Sequence, residues 1–272
     1  MPEPNTPIST SANAANGNRL SIENVAKDFM SKNGPVAALQ ETSLVVSEGE
    51  FVTILGPSGC GKSTLLRIIG GLEQATSGRV AFKGKVLSGP GSDRGMVFQS
   101  YTLFPWLTVQ DNISFGLELK GAGKKQRAEI AHYYLELIGL EGFENHYPIQ
   151  LSGGMKQRVA IARALANDPE ILLMDEPFGA LDAQTRLIMQ EVLLKAWEGS
   201  RKTILFVTHD VDESVFLGDT VYVMTARPGK IKKMMHVPFE RPRRYELKHT
   251  KAFFEMTQEL LDQIREESFK AL

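Results

Sequence analysis

The sequence is poor in three features: cysteine, long apolar runs and net charge. Cys60 is the single cysteine among 272 residues, so no disulfide can form within the chain and nothing indicates an oxidising compartment. No stretch approaches the ~18 consecutive apolar residues of a transmembrane helix, so any membrane role would depend on a partner. The formal net charge of −1 gives no overall field for attracting nucleic acid, which disfavours a DNA- or RNA-binding protein.

The two ends of the chain carry little information about function. The N-terminal segment, MPEPNTPISTSANAANGN, lacks the basic start and apolar run of a signal peptide, and its composition predicts a disordered tail over residues 1–18. Residues 236–272 are expected to form a helical extension, which is either a plain extra helix, as we favour, or a regulatory contact. The whole chain contains 42% hydrophobic and 23% charged residues, which is typical of a soluble globular protein.

Strands and helices alternate along most of the chain. Apolar segments such as EGEFVTILG, EILLMDE, KTILFVTH and TVYVMTA are separated by helical patterns, which predicts an α/β fold with a parallel sheet. A helical block over about residues 100–166, in which Ile130, Tyr134 and Leu137 share one face, interrupts this alternation. We therefore expect one nucleotide-binding sheet domain over residues 19–235, with the helical block inserted into it.

The segment GPSGCGKS matches the phosphate-binding pattern G-x-x-x-x-G-K-[ST] between a predicted strand and a predicted helix. Small residues let the backbone wrap around phosphates, and the positive helix start favours the anion. Lys62 is expected to reach the β- and γ-phosphates, and Ser63 to bind Mg²⁺. The expected nucleotide-binding residues of this segment are Gly56, Pro57, Ser58, Gly59, Cys60, Gly61, Lys62, Ser63 and Thr64.

Cys60 within this loop has two interpretations. It can be a small spacer whose backbone N–H is the group that matters, which we prefer, or the positive helix start can lower the pKa of its thiol. We expect alkylation of Cys60 to block nucleotide binding, and bound nucleotide to protect it.

Two acids end the apolar strand ILLMDE. Four consecutive apolar residues predict a strand buried on both faces, and the carboxyl ends of such strands are where open α/β sheets bind ligands. Asp175 is expected to hold Mg²⁺, and Glu176 to polarise an attacking water as a general base. Gln99 and His209 also end predicted strands. Each is either an ordinary polar residue or, beside a phosphate site, a group that contacts Mg²⁺ and the water (Gln99) or the γ-phosphate (His209).

A second Gly-rich turn, LSGGMKQR, opens another predicted helix at residues 151–158. Ser152 is in N-cap position, and Met155, Val159 and Ala162 are spaced for a buried stripe. The turn is either a well-capped structural helix start or a second anion site. One nucleotide on the first loop does not need it, so an anion site here would face a phosphate held by another molecule.

Taken in order, GPSGCGKS, Gln99, LSGGM, ILLMDE, FGALD and His209 resemble the ATP-binding-cassette (ABC) ATPase subunit over about residues 19–235. The resemblance implies a P-loop NTPase with a RecA-like sheet core, an N-terminal antiparallel β subdomain and an inserted helical signature subdomain. It implies ATP and Mg²⁺ as cofactors and a head-to-tail dimer, in which each ATP lies between one phosphate loop and the opposite signature loop. Its implied site residues beyond the phosphate loop are Phe29 on adenine, Ser63, Gln99 and Asp175 on Mg²⁺, Glu176, His209 and Gln99 in catalysis, and Ser152, Gly153, Gly154 and Asp182 across the dimer interface. The Met at position 155 departs from the commonest signature, which has Gln there, and phosphate contacts from Ser152 and the glycines would remain.

A narrower likeness links SYTLFPWLTVQDNISFG and the ARPG turn to cassettes that import nitrate, sulfonate, taurine or bicarbonate. It implies an importer motor at the cytoplasmic face of the plasma membrane, with separate permease subunits and an external solute-binding protein. Pro105 and Trp106 are either the docking groove for a permease helix or subdomain core, just as Phe29 is either an adenine contact or a core residue. Other classes are a motor for a different solute, a soluble ABC protein of DNA repair or translation, and a P-loop kinase.

Overall fold

The structure, a computed structural model, describes residues 20–32 and 34–270. The tail predicted over residues 1–18 therefore lies outside the described residues. Within the described ranges, no helix is both long enough and apolar enough to cross a bilayer.

An antiparallel sheet occupies the N-terminal part of the fold. Its four strands are β1 (Leu20–Ser31), β2 (Gly34–Val46), β4 (Ser77–Phe82) and β5 (Lys85–Val86). They lie in the order β2-β1-β4-β5, and β4 and β5 form a hairpin whose turn residues Lys83 and Gly84 both have positive φ. This sheet is the predicted antiparallel β subdomain.

A second sheet forms the core. Its six strands are β3 (Phe51–Leu55), β6 (Arg94–Val97), β7 (Ile171–Asp175), β8 (Thr203–Thr208), β9 (Thr220–Met224) and β10 (Ile231–His236). The order is β10-β9-β3-β8-β7-β6, with every neighbouring pair parallel except the antiparallel edge pair β10–β9. All residues of β3, β7, β8 and β9 are buried, as expected for strands covered on both faces.

The described part of the chain also contains seven α-helices. They are α1 (Lys62–Ile69), α2 (Val109–Leu119), α3 (Lys124–Leu137), α4 (Gly153–Ala166), α5 (Ala183–Ser200), α6 (Val211–Leu217) and α7 (Lys251–Lys270). Helices α2, α3 and α4 form the inserted helical unit between β6 and β7. The predicted α/β architecture is thus confirmed. The predicted division at residue 235 falls inside β10.

In α3, the most buried residues lie beside the face that Ile130, Tyr134 and Leu137 share. Ala131 and Leu135 are its fully buried residues, followed by Ile138 just past the helix end, whereas Ile130 and Tyr134 are only partly buried. The helix packs against both α2 and α4, so its covered side is set by two neighbours and not by its own periodicity alone.

Candidate functional site

The phosphate loop runs from the end of β3 to the start of α1. Gly59 and Gly61 both have positive φ, 75° and 107°, a conformation that only glycine adopts without strain. Gly61 is the N-cap of α1, so the first amides of that helix face the loop. Lys62 is buried, and its Nζ donates to the carbonyls of Gly56 at 2.7 Å and Pro57 at 2.9 Å. The lysine ammonium is therefore bonded to carbonyl groups of its own loop.

The back of the loop is packed by segments distant in sequence. A Cβ placed on Gly229 would lie 1.9 Å from the carbonyl oxygen of Cys60, and one on Gly61 would lie 2.7 Å from the carbonyl oxygen of Ala38. Gly229 is also hydrogen-bonded to β2, since its N–H donates to Ala38 and its carbonyl accepts from Gln40. Sequence reasoning noted the ARPG turn only as a mark of subfamily. In the structure, Gly229 of this turn packs directly against the phosphate loop.

The structure corrects the idea that the helix start lowers the pKa of Cys60. The residue is 1% exposed and belongs to a hydrophobic cluster with Leu39, Leu65 and Met224. Burial raises the pKa of the thiol, and the nearby charge of Lys62 only partly opposes this effect. The interpretation of Cys60 as a small spacer agrees with these surroundings.

Two of the predicted metal ligands, Ser63 of α1 and Asp175 of β7, are in direct contact. The Ser63 hydroxyl donates to Asp175 Oδ1 at 2.8 Å, and Asp175 is buried. Burial raises the pKa of this carboxyl, while the Ser63 hydrogen bond lowers it. An O···O separation of about 2.9 Å joins adjacent ligands of an octahedral Mg²⁺ site, so this oxygen pair fits that ion. The described residues contain no cluster of three His, Cys, Asp or Glu that could hold a metal ion.

Three residues predicted for the site lie around the Glu176 carboxylate. Its Oε2 accepts from Gln99 Nε2 at 3.3 Å and lies 3.2 Å from His209 Nδ1, and its Oε1 lies 4.0 Å from Lys62 Nζ. The backbone of Glu176 has φ 44°, a left-handed conformation that is uncommon for a residue with a side chain. This turn, held by a bond from its N–H to the Val207 carbonyl, directs Glu176 away from the strand that carries Asp175.

The signature loop lies at the start of α4. Ser152 is the N-cap, and its hydroxyl accepts from the Met155 N–H at 3.3 Å. Ser152 is exposed, and the contacts of its side chain in the described structure do not include any phosphate-loop residue. Val159 and Ala162 are buried and Met155 partly so, as the predicted stripe requires.

Asp182 lies next to the signature loop. It is the exposed N-cap of α5 and accepts from the Thr185 N–H at 3.0 Å. The preceding Leu181 approaches Gly154, since a Cβ on that glycine would lie 3.4 Å from the leucine side chain. The predicted interface residues Ser152, Gly153, Gly154 and Asp182 are thus near one another and exposed or half-buried.

The segment after Gln99 connects the two parts of the site. Arg163 of α4 donates to the carbonyl and the hydroxyl of Thr102, at 2.9 and 3.1 Å. The Tyr101 hydroxyl lies 3.0 Å from the Cβ position of Gly153. The segment that follows Gln99 is therefore in direct contact with the helix that carries the signature loop.

Two predicted aromatic contacts lie on the surface. Phe29 on β1 is 40% exposed, with Lys27 Nζ 4.8 Å from its ring centroid, so it is not an apolar core residue. Trp106 is 70% exposed, and its ring packs against Phe104 at 5.6 Å between centroids. The alternative that Trp106 is subdomain core is wrong.

Comparisons with known proteins agree with this geometry. The pattern of the family described as ABC transporter matches residues 39–179. The chain belongs to the ABC transporter ATP-binding family. It is 56% identical over 93% of its length to an uncharacterized ABC transporter ATP-binding protein of Methanocaldococcus jannaschii, covering 94% of that protein. It is 48% identical to the nitrate import ATP-binding protein NrtD of Synechocystis, with 90% of this chain and 95% of that protein covered.

Further relatives include the aliphatic sulfonates import ATP-binding protein SsuB of Bacillus cereus, 46% identical, with 90% of this chain and 95% of that protein covered. Among solved structures, a dimeric post-hydrolysis ATP-binding cassette bound to ADP and phosphate superposes with a TM-score of 0.74 and 36% identity, covering 81% of this chain and all of that one. The cassette is accordingly an ATP-binding subunit and an ATP hydrolase of a transporter, as its sequence resemblance implied.

Proposed function

We propose that the cassette is the motor of an importer, which binds ATP and Mg²⁺ at a head-to-tail dimer interface and couples hydrolysis to uptake of a small anionic solute. The observation that carries the proposal is the convergence of Gln99, His209 and Lys62 on Glu176, beside the Ser63–Asp175 pair. That arrangement would provide a base, a metal site and a cation where several strand ends meet the start of α1.

Hydrolysis requires a water aligned with the γ-phosphate and a group that accepts its proton. Glu176 is the proposed base, because its carboxylate lies at the strand edge beside the phosphate loop. His209 is proposed to contact the γ-phosphate and hold Glu176 in place, and Lys62 to neutralise charge on the β- and γ-phosphates. Mg²⁺ would be held by Ser63, Asp175 and Gln99, and would offset charge that develops on the phosphate oxygens.

The proposed dimer rests on the exposed polar groups of the signature loop. In the described structure the Ser152 hydroxyl meets only an amide of its own helix, although Ser152, the helix amides and Asp182 form one exposed group. A helix N-terminus of this kind binds phosphate. We therefore infer that Ser152, Gly153 and Gly154 contact the γ-phosphate held by a second cassette, with Asp182 beside it. The related cassettes solved as dimers support a dimer of this chain.

The proposed solute class depends on the relatives. Proteins named for nitrate import and for aliphatic sulfonate import match this chain at 48% and 46% identity. We propose an importer of the nitrate, sulfonate, taurine or bicarbonate class. Its permease subunits would dock near the exposed Pro105 and Trp106, its solute-binding protein would lie outside the cell, and the cassette would sit at the cytoplasmic face of the membrane. Phe29 is proposed to stack on adenine.

The test is affinity purification of the full-length cassette from membranes, followed by identification of bound subunits and transport assays. An integral permease that takes up an anionic solute only with ATP and this cassette supports the proposal. A complex that lacks any integral membrane protein would contradict an importer function, and uptake of an uncharged or cationic solute would contradict only the solute class.

A further inference from the structure

A buried hydrogen-bond network connects the residue before His209 with the C-terminal segment. Its centre is Glu213 in the first turn of α6, which is 5% exposed. Glu213 Oε2 accepts from the Thr208 hydroxyl at 2.7 Å, and Oε1 accepts from Gln190 Nε2 at 3.2 Å. Gln190 lies on α5, and its amide oxygen accepts from Lys248 Nζ at 2.9 Å. Lys248 belongs to the 3-10 turn Tyr245–His249 that precedes α7.

The chemistry of the groups gives this network a fixed direction. Lysine has three donors and no acceptor, so Lys248 must face the amide oxygen of Gln190. The amide nitrogen then faces Glu213, which accepts from it. At the other end, the Thr208 hydroxyl accepts from the Asp210 N–H at 3.0 Å and donates its own proton to Glu213. Without Lys248, the Gln190 amide would lose the contact that sets its orientation.

Lys248 is not an ordinary surface lysine. Its ammonium lies 4.5 Å from the centroid of the Phe216 ring, and burial lowers the pKa of the side chain. Nearby carboxylates oppose that effect; they belong to Asp212, Asp210, Glu213 and Glu191. Keeping a cation in this position has a cost that an exposed lysine would avoid, and the hydrogen bond to Gln190 offsets part of it.

Glu213 has a comparable environment. Burial raises the pKa of its carboxyl, and the hydrogen bond from Thr208, the charge of Arg186 and the bond from Gln190 lower it. Arg186 Nε lies 3.9 Å from Glu213 Oε1, and Arg186 also reaches Asp210, the N-cap of α6. Glu213 and Asp210, at the start of α6, therefore both contact α5. Thr208, at the end of β8, is bonded to Glu213, so contacts to this network lie on both sides of His209.

We propose that Lys248 is a positioning residue for ATP hydrolysis, acting through Gln190, Glu213 and Thr208 on the placement of His209 against Glu176. Buried side-chain hydrogen bonds hold the backbone segments that they join, and the loss of one donor loosens them. The C-terminal extension thereby takes part in the active site without touching nucleotide. This inference rests on the proposed role of His209 in hydrolysis.

The test compares K248M, which keeps the aliphatic stem, and K248R, which keeps a donor, with the control K251M. Lys251 is an exposed lysine of the same extension, paired with Glu255 on the surface of α7. We expect K248M in the full-length protein to lower kcat about five- to tenfold with little change in KM for ATP, because one hydrogen bond to a charged group is lost. K248R should recover most of kcat, and K251M should match the unaltered protein.

The same substitutions in an H209A background separate positioning from general destabilisation. If Lys248 acts through His209, K248M should cause no further loss in H209A. Equal losses in both backgrounds, a normal kcat in K248M, or a joint loss of kcat and thermal stability that K248R does not restore would overturn the inference. Normal turnover in H209A would overturn both the proposed role of His209 and this inference. A low kcat in H209A together with a normal kcat in K248M would overturn the inference alone.

Discussion

The phosphate loop and the signature loop both place glycines at the start of a helix, yet their surroundings differ. In the phosphate loop, Lys62 is buried, its ammonium is bonded to two carbonyls of the loop, and β2 and Gly229 pack behind it. In the signature loop, Ser152 is exposed and its hydroxyl is bonded within its own helix. The first loop is complete within one chain, whereas the second presents its donors outward. Two glycine-containing helix starts can thus differ in how far their own chain covers them, and the proposed dimer would supply the missing contact at the second.

The largest effect is expected at Glu176, beside the phosphate loop. Glu176→Gln removes the proposed base while keeping its shape and the contact with Gln99, so hydrolysis should fall about 10²–10⁴-fold. ATP binding should persist, and a stable ATP-bound dimer should form. Phosphate release, nucleotide binding and light scattering measure these outcomes. Glu141→Gln on an exposed turn is the control, and near-normal turnover in Glu176→Gln would remove Glu176 from this role.

Ser152→Arg tests the other side of the comparison. We expect nucleotide binding to one cassette to be unchanged, because no contact joins Ser152 to the phosphate loop in the described structure. Turnover should fall about 10²–10³-fold, since one preformed donor to the reacting phosphate is lost and a bulky side chain blocks the interface. In mixed dimers with one mutant chain, one of the two sites should lose activity. Full activity at both sites would contradict the head-to-tail arrangement.

Gly229→Ala is expected to damage the phosphate loop from a distance. The added Cβ would lie 1.9 Å from the Cys60 carbonyl, so the loop or the ARPG turn must shift. We expect ATP affinity to fall about tenfold, which corresponds to about 1.4 kcal/mol. Gly199→Ala in α5 is the matched control, because its Cβ would meet no atom within 4 Å. Equal ATP affinity in the two variants would show that the loop adjusts freely.

The smallest effect concerns the chemistry of Cys60. Because the folded-state pKa of this buried thiol is raised, its reactive thiolate is scarcer in the folded chain than in the unfolded one at neutral pH. Iodoacetamide should therefore label the folded protein slowly even without ATP, and faster as the pH rises towards the pKa. Mass spectrometry of labelled peptides, with urea-unfolded protein as reference, measures the rates. Equal labelling of both forms at neutral pH would contradict the observed burial.

Sequence alone predicted the parts of the site that depend on local pattern. The motif at residues 56–63 and the acids Asp175 and Glu176 stand at the ends of apolar strands, and the parallel sheet brings such ends to one edge. The convergence of Gln99 and His209 on Glu176 follows from that topology. Spacing alone left Gln99 and His209 with two interpretations each, and the family resemblance implied their place in the site.

Features set by tertiary packing were not predictable. The thiol of Cys60 responds to the apolar side chains around it more than to the helix start, so the alternative of a lowered pKa is wrong and the preferred interpretation as a small spacer agrees with the structure. The covered side of α3 is selected by α2 and α4 together. Lys248 lies 58 positions after Gln190 in the chain, and no pattern in either segment indicates that they meet.

Gly229 also limits what a motif search can establish. A homologous gene with every letter of GPSGCGKS intact, but a larger residue at the position of Gly229, would pass such a search and still encode a distorted loop, because Cys60 leaves no room for a side chain there. Natural variation at this glycine should be considered together with the eight-residue motif when a cassette gene is classified as functional or non-functional.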